Sequence, residues 1–332
     1  MWDLATGEQI GALLHGHDRR VSAVATSVVE GRPVAVTGCK DGTLRVWDLT
    51  TRQQIGEPWQ GHLQEASWAT GVVAVATGVV EGRPVAVTSS GDMTVRVWDL
   101  STRQQIGEPW EGHDLEVWAV ATGVVGGRPV AVTGGEDGTV RVWDLTTRQQ
   151  IGNPLRGHSR DISAVATGEV EGRPVAVTSS CDDNTVRVWD LATGEQIGEP
   201  LQGHTGWLQA TATAVMEGRP VAVIRGKDGT TRVWDLTTRQ QIGHALQVPT
   251  GSGVLVATTT VAVADSKDGT VRVWDLATGQ PIGNPQQGHT GWVQAAATAV
   301  VEGRPVAVTG GEDGTVRVWD LGTGAPIGDP LE

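Results

Sequence analysis

Short runs of β-branched and alanine residues alternate with turn signals along the chain, and residues 112–155 show the pattern once. Two apolar runs flank a Gly-Gly-Arg-Pro turn, and an Asp-Gly turn then leads into VRVWDL, whose side chains alternate with period two. A weaker run, IGNPL, closes the unit. The pattern predicts four short antiparallel strands, at 117–125, 130–135, 140–145 and 151–155. No segment shows the 3.6-residue period of a helix, so we expect an all-β protein.

The tripeptide Trp-Asp-Leu recurs eight times and sets the length of this unit. Its tryptophans are residues 2, 47, 98, 143, 189, 234, 274 and 319, at intervals of 40 to 51 residues. A four-stranded sheet with two apolar faces needs neighbours, and radial stacking buries both faces while leaving only short, protected edges. Seven complete units lie between the first and last copies, so we expect one domain, 1–332, of seven sheets around a channel.

Fixed spacings within the unit resemble those of a known family. A Gly-His pair stands about 30 residues before the Trp-Asp, and Asp-Gly-Thr begins six residues before the tryptophan. This arrangement is similar to that of WD-repeat (WD40-type) β-propellers, of the bacterial type with highly similar repeats, and it covers the whole chain. The resemblance implies a seven-bladed WD-repeat β-propeller with four antiparallel strands per blade around a central channel. We expect an outer latch strand at 1–14 and then blades at approximately 15–59, 60–110, 111–155, 156–201, 202–246, 247–286 and 287–332.

The same resemblance implies a hydrogen-bonded tetrad of His, Thr, Asp and Trp in each blade. In five blades the matching residues are His17, Thr37, Asp41 and Trp47; His62, Thr88, Asp92 and Trp98; His113, Thr133, Asp137 and Trp143; His158, Thr178, Asp183 and Trp189; and His289, Thr309, Asp313 and Trp319. A His beside an Asp and a hydroxyl also suggests a catalytic triad. We favour a structural role, because the set recurs in blade after blade while an enzyme needs one asymmetric pocket.

Three blades depart from the repeat. Ile224 replaces the tetrad threonine in the fifth, and Pro249 and Ala264 replace the histidine and threonine in the sixth. An unsatisfied buried donor costs about 1–3 kcal/mol, so we expect blades five and six to open first. The second blade carries six extra residues, which predicts a longer loop exposing Trp68.

Charge and composition indicate which classes of binding partner are disfavoured and which cellular location is expected. The chain has 25 Lys and Arg against 38 Asp and Glu, a net charge of −13, which disfavours nucleic acid and anionic membranes as partners. It shows neither a long apolar span nor a signal peptide. The two cysteines, Cys39 and Cys181, lie three units apart, so we expect reduced thiols and a cytoplasmic location.

The loops that hold Gly-His and Asp-Gly-Thr share one rim in this family, which we call the top rim. Residues that differ there between near-identical repeats are the candidate partner contacts: Arg20, Lys40, Trp68, Glu116, Trp118, Glu136, Asp161, Trp207, Lys227, Lys267, Trp292 and Glu312. Trp118 is a stronger candidate than Trp207 or Trp292, because packing against a neighbouring loop would explain a tryptophan at those two positions equally well. Trp59 and Trp110 occupy positions that hold Leu155 and Leu201 elsewhere, which predicts packing.

Taken together, these features favour a non-catalytic scaffold that binds a protein or peptide on the top rim, as part of a larger bacterial signalling or repeat protein. The alternative is a sensor of a small ligand or glycan at the channel mouth. An enzyme is disfavoured, because the strands expected to line the channel carry no carboxylate cluster; we expect no catalytic residue, cofactor or metal. The ring is expected to be monomeric.

Two segments, one near each end of the chain, match the same outer strand position of the last blade. Both GEQIGALL (7–14) and GAPIGDPL (324–331) fit the outer edge of the last blade. The family pattern predicts that 7–14 takes it and that 324–331 packs loosely. Met1 stands where the other copies have Val, so we expect that the chain begins inside a longer repeat array.

Overall fold

A computed structural model describes residues 16–17, 19–62, 71–247, 255–257, 261–265, 269–275, 278 and 280–328. These residues form seven antiparallel sheets, numbered 1 to 7 in chain order, of which five have four strands and two have three. The first strands are β1 (Val21–Val29), β5 (Val72–Val80), β9 (Val117–Val125), β13 (Ile162–Val170), β16 (Leu208–Met216), β20 (Leu255–Ala257) and β24 (Val293–Val301). The second strands are β2 (Arg32–Cys39), β6 (Arg83–Ser90), β10 (Arg128–Gly135), β14 (Arg173–Ser180), β17 (Arg219–Gly226), β21 (Val261–Asp265) and β25 (Arg304–Gly311).

Third and fourth strands complete the sheets. The third strands are β3 (Thr43–Asp48), β7 (Val95–Asp99), β11 (Thr139–Asp144), β15 (Val186–Asp190), β18 (Thr230–Asp235), β22 (Thr270–Asp275) and β26 (Val316–Asp320). The fourth strands are β4 (Trp59–Gln60), β8 (Gln104–Gln105), β12 (Leu155–Arg156), β19 (Gln241–Gln247) and β23 (Pro281–Gln287). In sheets 4 and 7 the fourth segment pairs through isolated bridges, such as Trp189 with Gln196.

The strands predicted for residues 112–155 agree with β9 to β12 in number and order, and the bounds of three of them need correction. β9 has the predicted bounds, while β10 begins two residues early and includes Pro129, and β11 begins and ends one residue early. The fourth strand is only Leu155–Arg156, because the preceding Ile-Gly-Asn-Pro segment holds the third strand by single contacts such as Ile151 N–H to Val142 carbonyl at 2.7 Å.

In six sheets, all except sheet 6, the first hairpin turns at a Glu-Gly pair or, in sheet 3, at Gly126-Gly127. Glu30 and Gly31 have φ of 50° and 78°, and the other Glu-Gly turns repeat these positive values. Two successive positive φ angles characterise the two-residue hairpin whose twist matches that of the flanking strands.

Neighbouring sheets share their cores. Valines of sheet 2 (Val85 and Val87) form one buried cluster with Trp143 and Leu145 of sheet 3, and a corresponding cluster joins Val306 and Val308 of sheet 7 to Trp47 of sheet 1. Trp110 stacks on Trp143 with ring centroids 5.2 Å apart, and Trp59 stacks on Trp98 at 5.9 Å. The predicted packing role of Trp59 and Trp110 is therefore confirmed. The first strands contact one another in succession, and β1 contacts both β5 and β24. The fold is an all-β propeller.

The end of the described chain pairs with sheet 7. Ile327 N–H donates to the Val318 carbonyl at 2.7 Å, and Pro326 bridges Trp319, as in the fourth segments of other sheets. Residues 325–327 thus occupy the start of the outer position that the sequence assigned to 7–14. Residues 7–14 lie outside the described residues, so the predicted latch stays a prediction.

Candidate binding surface at the channel mouth

Five sheets bring the predicted His, Thr and Trp side chains into one hydrogen-bonded chain. The tryptophan Nε1–H donates to the threonine Oγ1 at 2.8–3.0 Å. The same hydroxyl oxygen lies 2.7–2.9 Å from the histidine Nε2. In sheets 2, 3, 4 and 7 the histidine Nδ1 lies 2.9–3.0 Å from the turn aspartate. Each chain ties the loop before the first strand to the turn before the third.

Burial and hydrogen bonding set the charges in these chains. Burial lowers the pKa of His62 more than Asp92 raises it, so the imidazole is neutral near pH 7. Burial alone would raise the pKa of Asp137, but hydrogen bonds from His113 and Thr139 outweigh it and hold that pKa well below the usual range. The carboxylate therefore acts as an acceptor that fixes the histidine ring. The five threonines are buried, so a substrate would not reach their hydroxyls.

Sheet 1 departs from this geometry at Asp41, which lies 4.0 Å from His17 Nδ1. Sheet 1 carries Cys39 at this position, where sheet 3 has Gly135. A Cβ alone does not separate the pair, because Ser90 and Ser180 occupy the same position in sheets 2 and 4, where the histidine and aspartate lie 2.9 and 3.0 Å apart. Thr43 links the separated pair instead, because its hydroxyl lies 2.6 Å from Asp41 and 3.3 Å from His17. Burial, weakly opposed by Asp41, lowers the pKa of His17 to about 4.

Among the described residues, His17, Cys39 and Asp41 bring three possible metal-ligand atoms within 4.8 Å of one another. Burial raises the pKa of the Cys39 thiol to about 12, so the thiol keeps its proton. It donates that proton to the Arg19 carbonyl at 3.2 Å. These three side chains already make internal hydrogen bonds, so they are poorly suited to bind a cation. Both cysteines are free thiols.

Sheet 5 shows the predicted loss of the bridging hydroxyl. Ile224 is fully buried where the other sheets have threonine, and His204 Nε2 and Trp234 Nε1 are buried without a hydrogen-bond partner. His204 still lies 3.1 Å from Asp228. In sheet 6, Trp274 Nε1 is likewise buried without a partner, while Pro249 lies outside the described residues.

Candidate contact residues meet in pairs on the top rim. In five sheets the residue before or at the turn donates its backbone N–H to the carbonyl of the residue three positions after the histidine. The pairs are Lys40 with Arg20, Glu136 with Glu116, Cys181 with Asp161, Lys227 with Trp207 and Glu312 with Trp292, at 2.7–3.2 Å. Trp68 and Lys267 lie outside the described residues.

Electrostatics link these pairs. The Lys227 ammonium sits 4.5 Å from the Trp207 ring centroid, a cation–π contact that leaves the indole 55% exposed. Burial and the Glu136 carboxylate raise the pKa of Glu116, and the Lys40 ammonium partly offsets that rise. The rim is a surface of mixed charge with exposed indoles.

A β-bulge in six of the first strands aims one residue at the channel mouth. The register shifts at Ser22, Val73, Trp118, Ser163, Gln209 and Gln294. Bulges re-aim a side chain by bending the strand, and all six residues line a shallow cavity of about 260 Å³. Trp118 is 40% exposed there and gives the mouth its one aromatic face among the residues that the structure describes.

Sequence reasoning missed two sets of polar residues. Threonines at one position of the first strands form a belt, in which each hydroxyl donates to the carbonyl of its counterpart in the preceding sheet: Thr77 to Thr26, Thr122 to Thr77, Thr167 to Thr122, Thr213 to Thr167 and Thr26 to Thr298, at 2.5–2.6 Å. In each of the seven sheets the aspartate of the Trp-Asp pair caps the following turn, as Asp48 does by accepting the N–H groups of Thr50 and Thr51. The recurrence of Ala-Thr in six of the first strands was the available signal for the belt.

Comparison with known families agrees with this geometry. The WD40 family model, described as WD domain, G-beta repeat, matches residues 7–48, 104–144, 149–190 and 279–320, which together make up half of the chain. The chain belongs to the WD40 family. Segment 104–144 of this WD40 protein runs from β8 of sheet 2 to β11 of sheet 3, so the sequence repeat is offset from the sheet by one strand. The unmatched segments contain Ile224 and Trp68, where the repeat departs from its pattern.

No curated protein matches the chain. The described residues include no helix that is both long and apolar enough to cross a membrane.

Proposed function

We propose that this WD40 protein is a non-catalytic scaffold that binds a protein or peptide on its top rim. We further infer that its seven sheets are the seven blades of one closed, monomeric ring. The contact between β1 and β24 supports this reading of the ring. WD40 propellers are commonly interaction scaffolds and are mostly non-enzymatic.

Exposed tryptophans on the rim carry the proposal. Trp118, Trp207 and Trp292 are 40%, 55% and 41% exposed, although tryptophan is mostly buried in folded proteins. Tryptophan is enriched among the residues that dominate binding energy at protein interfaces. The mixed charges of Lys40, Glu116 and Glu312 around them would form the polar edge of such an interface.

The test is a Trp118→Ala, Trp292→Ala double variant in proximity labelling and direct binding assays with each identified partner. We expect each partner to lose about tenfold or more in affinity, as for an interface hot spot. Val79→Ser, an exposed substitution at the opposite hairpin turn of sheet 2, is the matched control and should bind normally. Retention of every partner by the double variant would refute the top-rim assignment.

A second function has one observation in its favour. The Trp118 ring lines the 260 Å³ cavity, whose lining also includes the polar side chains of Gln209 and Gln294, an arrangement that suits stacking on a sugar or another small ligand. A glycan array and a tryptophan-fluorescence titration test this sensor; no response in either would exclude it.

A further inference from the structure

Arginines from the turns after the third strands join neighbouring sheets at the outer edge. Arg103 of sheet 2 lies against Gly56 of sheet 1 and reaches the Ile55 carbonyl at 3.5 Å. Arg148 lies against Gly107 and reaches the Glu108 carbonyl at 3.5 Å. We call each such contact an arginine clamp.

Two more junctions repeat the clamp. Arg239 donates to the carbonyls of Ile197 and Glu199, on either side of Gly198, and Arg52 lies against Gly328. Arg103, Arg148 and Arg239 thus donate to carbonyls of an Ile-Gly-Glu segment in the preceding sheet. All four arginines have φ of 61–62°, a left-handed conformation that costs a non-glycine residue about 1–2 kcal/mol.

The junction between sheets 3 and 4 lacks its arginine. Gly194 holds the position, with φ of 77°, opposite the segment Ile151-Gly152-Asn153. A Cβ placed on Gly152 would meet no atom within 4 Å, whereas at the equivalent Gly107 it would collide with the Arg148 guanidinium. Ile151 is 36% exposed, while its counterparts in the other sheets are half-buried.

A glycine alone does not open a junction. Gly324 has the same position between sheets 6 and 7, but there the backbones close together: a Cβ on Gly324 would lie 3.0 Å from the Ile282 carbonyl oxygen, and one on Gly283 would lie 2.5 Å from the Thr323 carbonyl oxygen. Between sheets 3 and 4 the space stays open as a cavity of about 520 Å³. We call it the sheet 3–4 groove; its lining includes Ile151, Asn153, Leu155, Trp189, Leu191 and Gln196.

We propose that the sheet 3–4 groove binds an arginine side chain of a partner peptide, in place of the clamp that the chain itself supplies at other junctions. The backbone of Ile151-Gly152-Asn153 repeats the segment that accepts the guanidinium of Arg239. A guanidinium carries five donors in a planar fork and suits two carbonyl acceptors better than a lysine ammonium does. Leu155 and Trp189 offer apolar surface to the methylene stem.

Charge supports a single cation as the occupant. The chain carries a net −13, which favours approach of a basic peptide. Arg156 also lines the groove and repels any incoming cation, a single arginine less than a polybasic run. The groove therefore favours one arginine, held by its backbone carbonyls, over a polybasic run, and its position on the outer edge leaves the top rim free.

An NMR titration of the ¹⁵N-labelled protein with acetyl-Gly-Arg-Gly-amide tests the proposal. Saturable shifts are expected at the amides of Gly152, Asn153 and Thr193. The citrulline peptide, which keeps the shape but loses the charge, should produce none, and the lysine peptide should bind more weakly. Free L-arginine should also bind more weakly than the peptide, and equal binding would overturn the choice of a peptide as occupant.

Two variants complete the design. Gly194→Arg should fill the groove in cis and weaken peptide binding by about tenfold or more; its Cβ would lie 3.3 Å from Leu155 Cδ2, a tight contact that a small shift of the leucine side chain relieves. Arg239→Gly should open a second site with new shifts at Ile197 and Glu199. No saturable shift in the wild type, equal binding by citrulline, or binding unaffected by both variants would overturn the proposal. Trp118→Ala should leave this binding unchanged, which separates it from the top-rim function.

Discussion

At the residue scale, single substitutions within otherwise repeated units show what each polar group does. The threonine hydroxyl accepts from an indole and contacts an imidazole, so its replacement by Ile224 leaves a buried donor, Trp234 Nε1–H, and a buried acceptor, His204 Nε2, without partners in one sheet. Both groups stay buried because the surrounding valines and Trp234 pack as in the other sheets. Hydrogen bonding and packing can therefore be separated at this position.

Ile224→Thr should stabilise the protein by about 1 kcal/mol. The new hydroxyl would accept from Trp234 Nε1–H and donate to His204 Nε2, two groups that each cost about 1–3 kcal/mol when orphaned, at the expense of about two buried carbon groups worth about 0.8 kcal/mol each. The reciprocal Thr133→Ile in sheet 3 is the matched control and should destabilise by about 2 kcal/mol or more. Urea unfolding measures both; stabilisation by Thr133→Ile would show that the bridging hydroxyl is not what holds the tetrad.

At the element scale, the stability of each sheet depends on its contacts with the neighbouring sheets and on the hydrogen bonds that hold its own loops. Sheets 1 to 4 and 7 each have the His–Thr–Trp chain between loop and third strand, whereas sheet 5 lacks the hydroxyl and Trp274 of sheet 6 lacks a partner.

Hydrogen exchange should therefore begin in sheets 5 and 6. The amides of β17 and β21 are expected to lose protection before those of β10, since local opening draws on the least stabilised units. Mass spectrometry of exchanged peptides measures this order, with β2 of sheet 1 as the internal reference. Earlier exchange in sheet 1 or sheet 3 than in sheet 5 would contradict it.

At the scale of the whole molecule, the ring joins many weak, repeated contacts into one cooperative structure. The threonine belt and the arginine clamps run from sheet to sheet, and the cluster between sheets 7 and 1 brings the two ends of the described chain together. Titratable groups are repeated in the same way, so small pKa shifts add up over the ring.

Stability should fall on acidification in two stages. Burial lowers the pKa of His62 and His204, and that of His17 from 6.5 to about 4. Below pH about 6.5 the unfolded chain binds protons that the folded ring does not, so stability declines between pH about 6.5 and 4.

The second stage comes from the turn aspartates, whose pKa is lowered from 3.8, to about 2 at Asp228. Their contribution is present above pH about 4 and is lost as pH falls through the folded value. Urea midpoints from pH 8 to pH 3 measure both stages, at two salt concentrations because buried pairs are weakly screened. A midpoint that stays constant from pH 7 to pH 4 would contradict the histidine stage.

Much of the fold was predictable because the chemistry repeats. Period-two alternation, the Asp-Gly turns and the fixed His-to-Trp spacing were sufficient to place β9 and the tetrad side chains. The fourth strands were harder to predict, because Ile151 and its counterparts hold the sheet by single hydrogen bonds rather than by a run of pairs. The candidate rim residues followed from variation between units, but their pairing across the turn did not.

The sequence by itself determined the all-β class, the repeated unit, the tetrads and the missing hydroxyl of sheet 5, because each depends on residues a fixed distance apart within one unit. Only the tertiary structure decided which bulged residues line the channel mouth, how the threonine belt runs, and that the junction of sheets 3 and 4 is open where that of sheets 6 and 7 is closed. Those features depend on how far apart neighbouring sheets settle, and glycine occupies both junctions alike. Spacing along the chain carries no information about that distance, because it is set by packing between units.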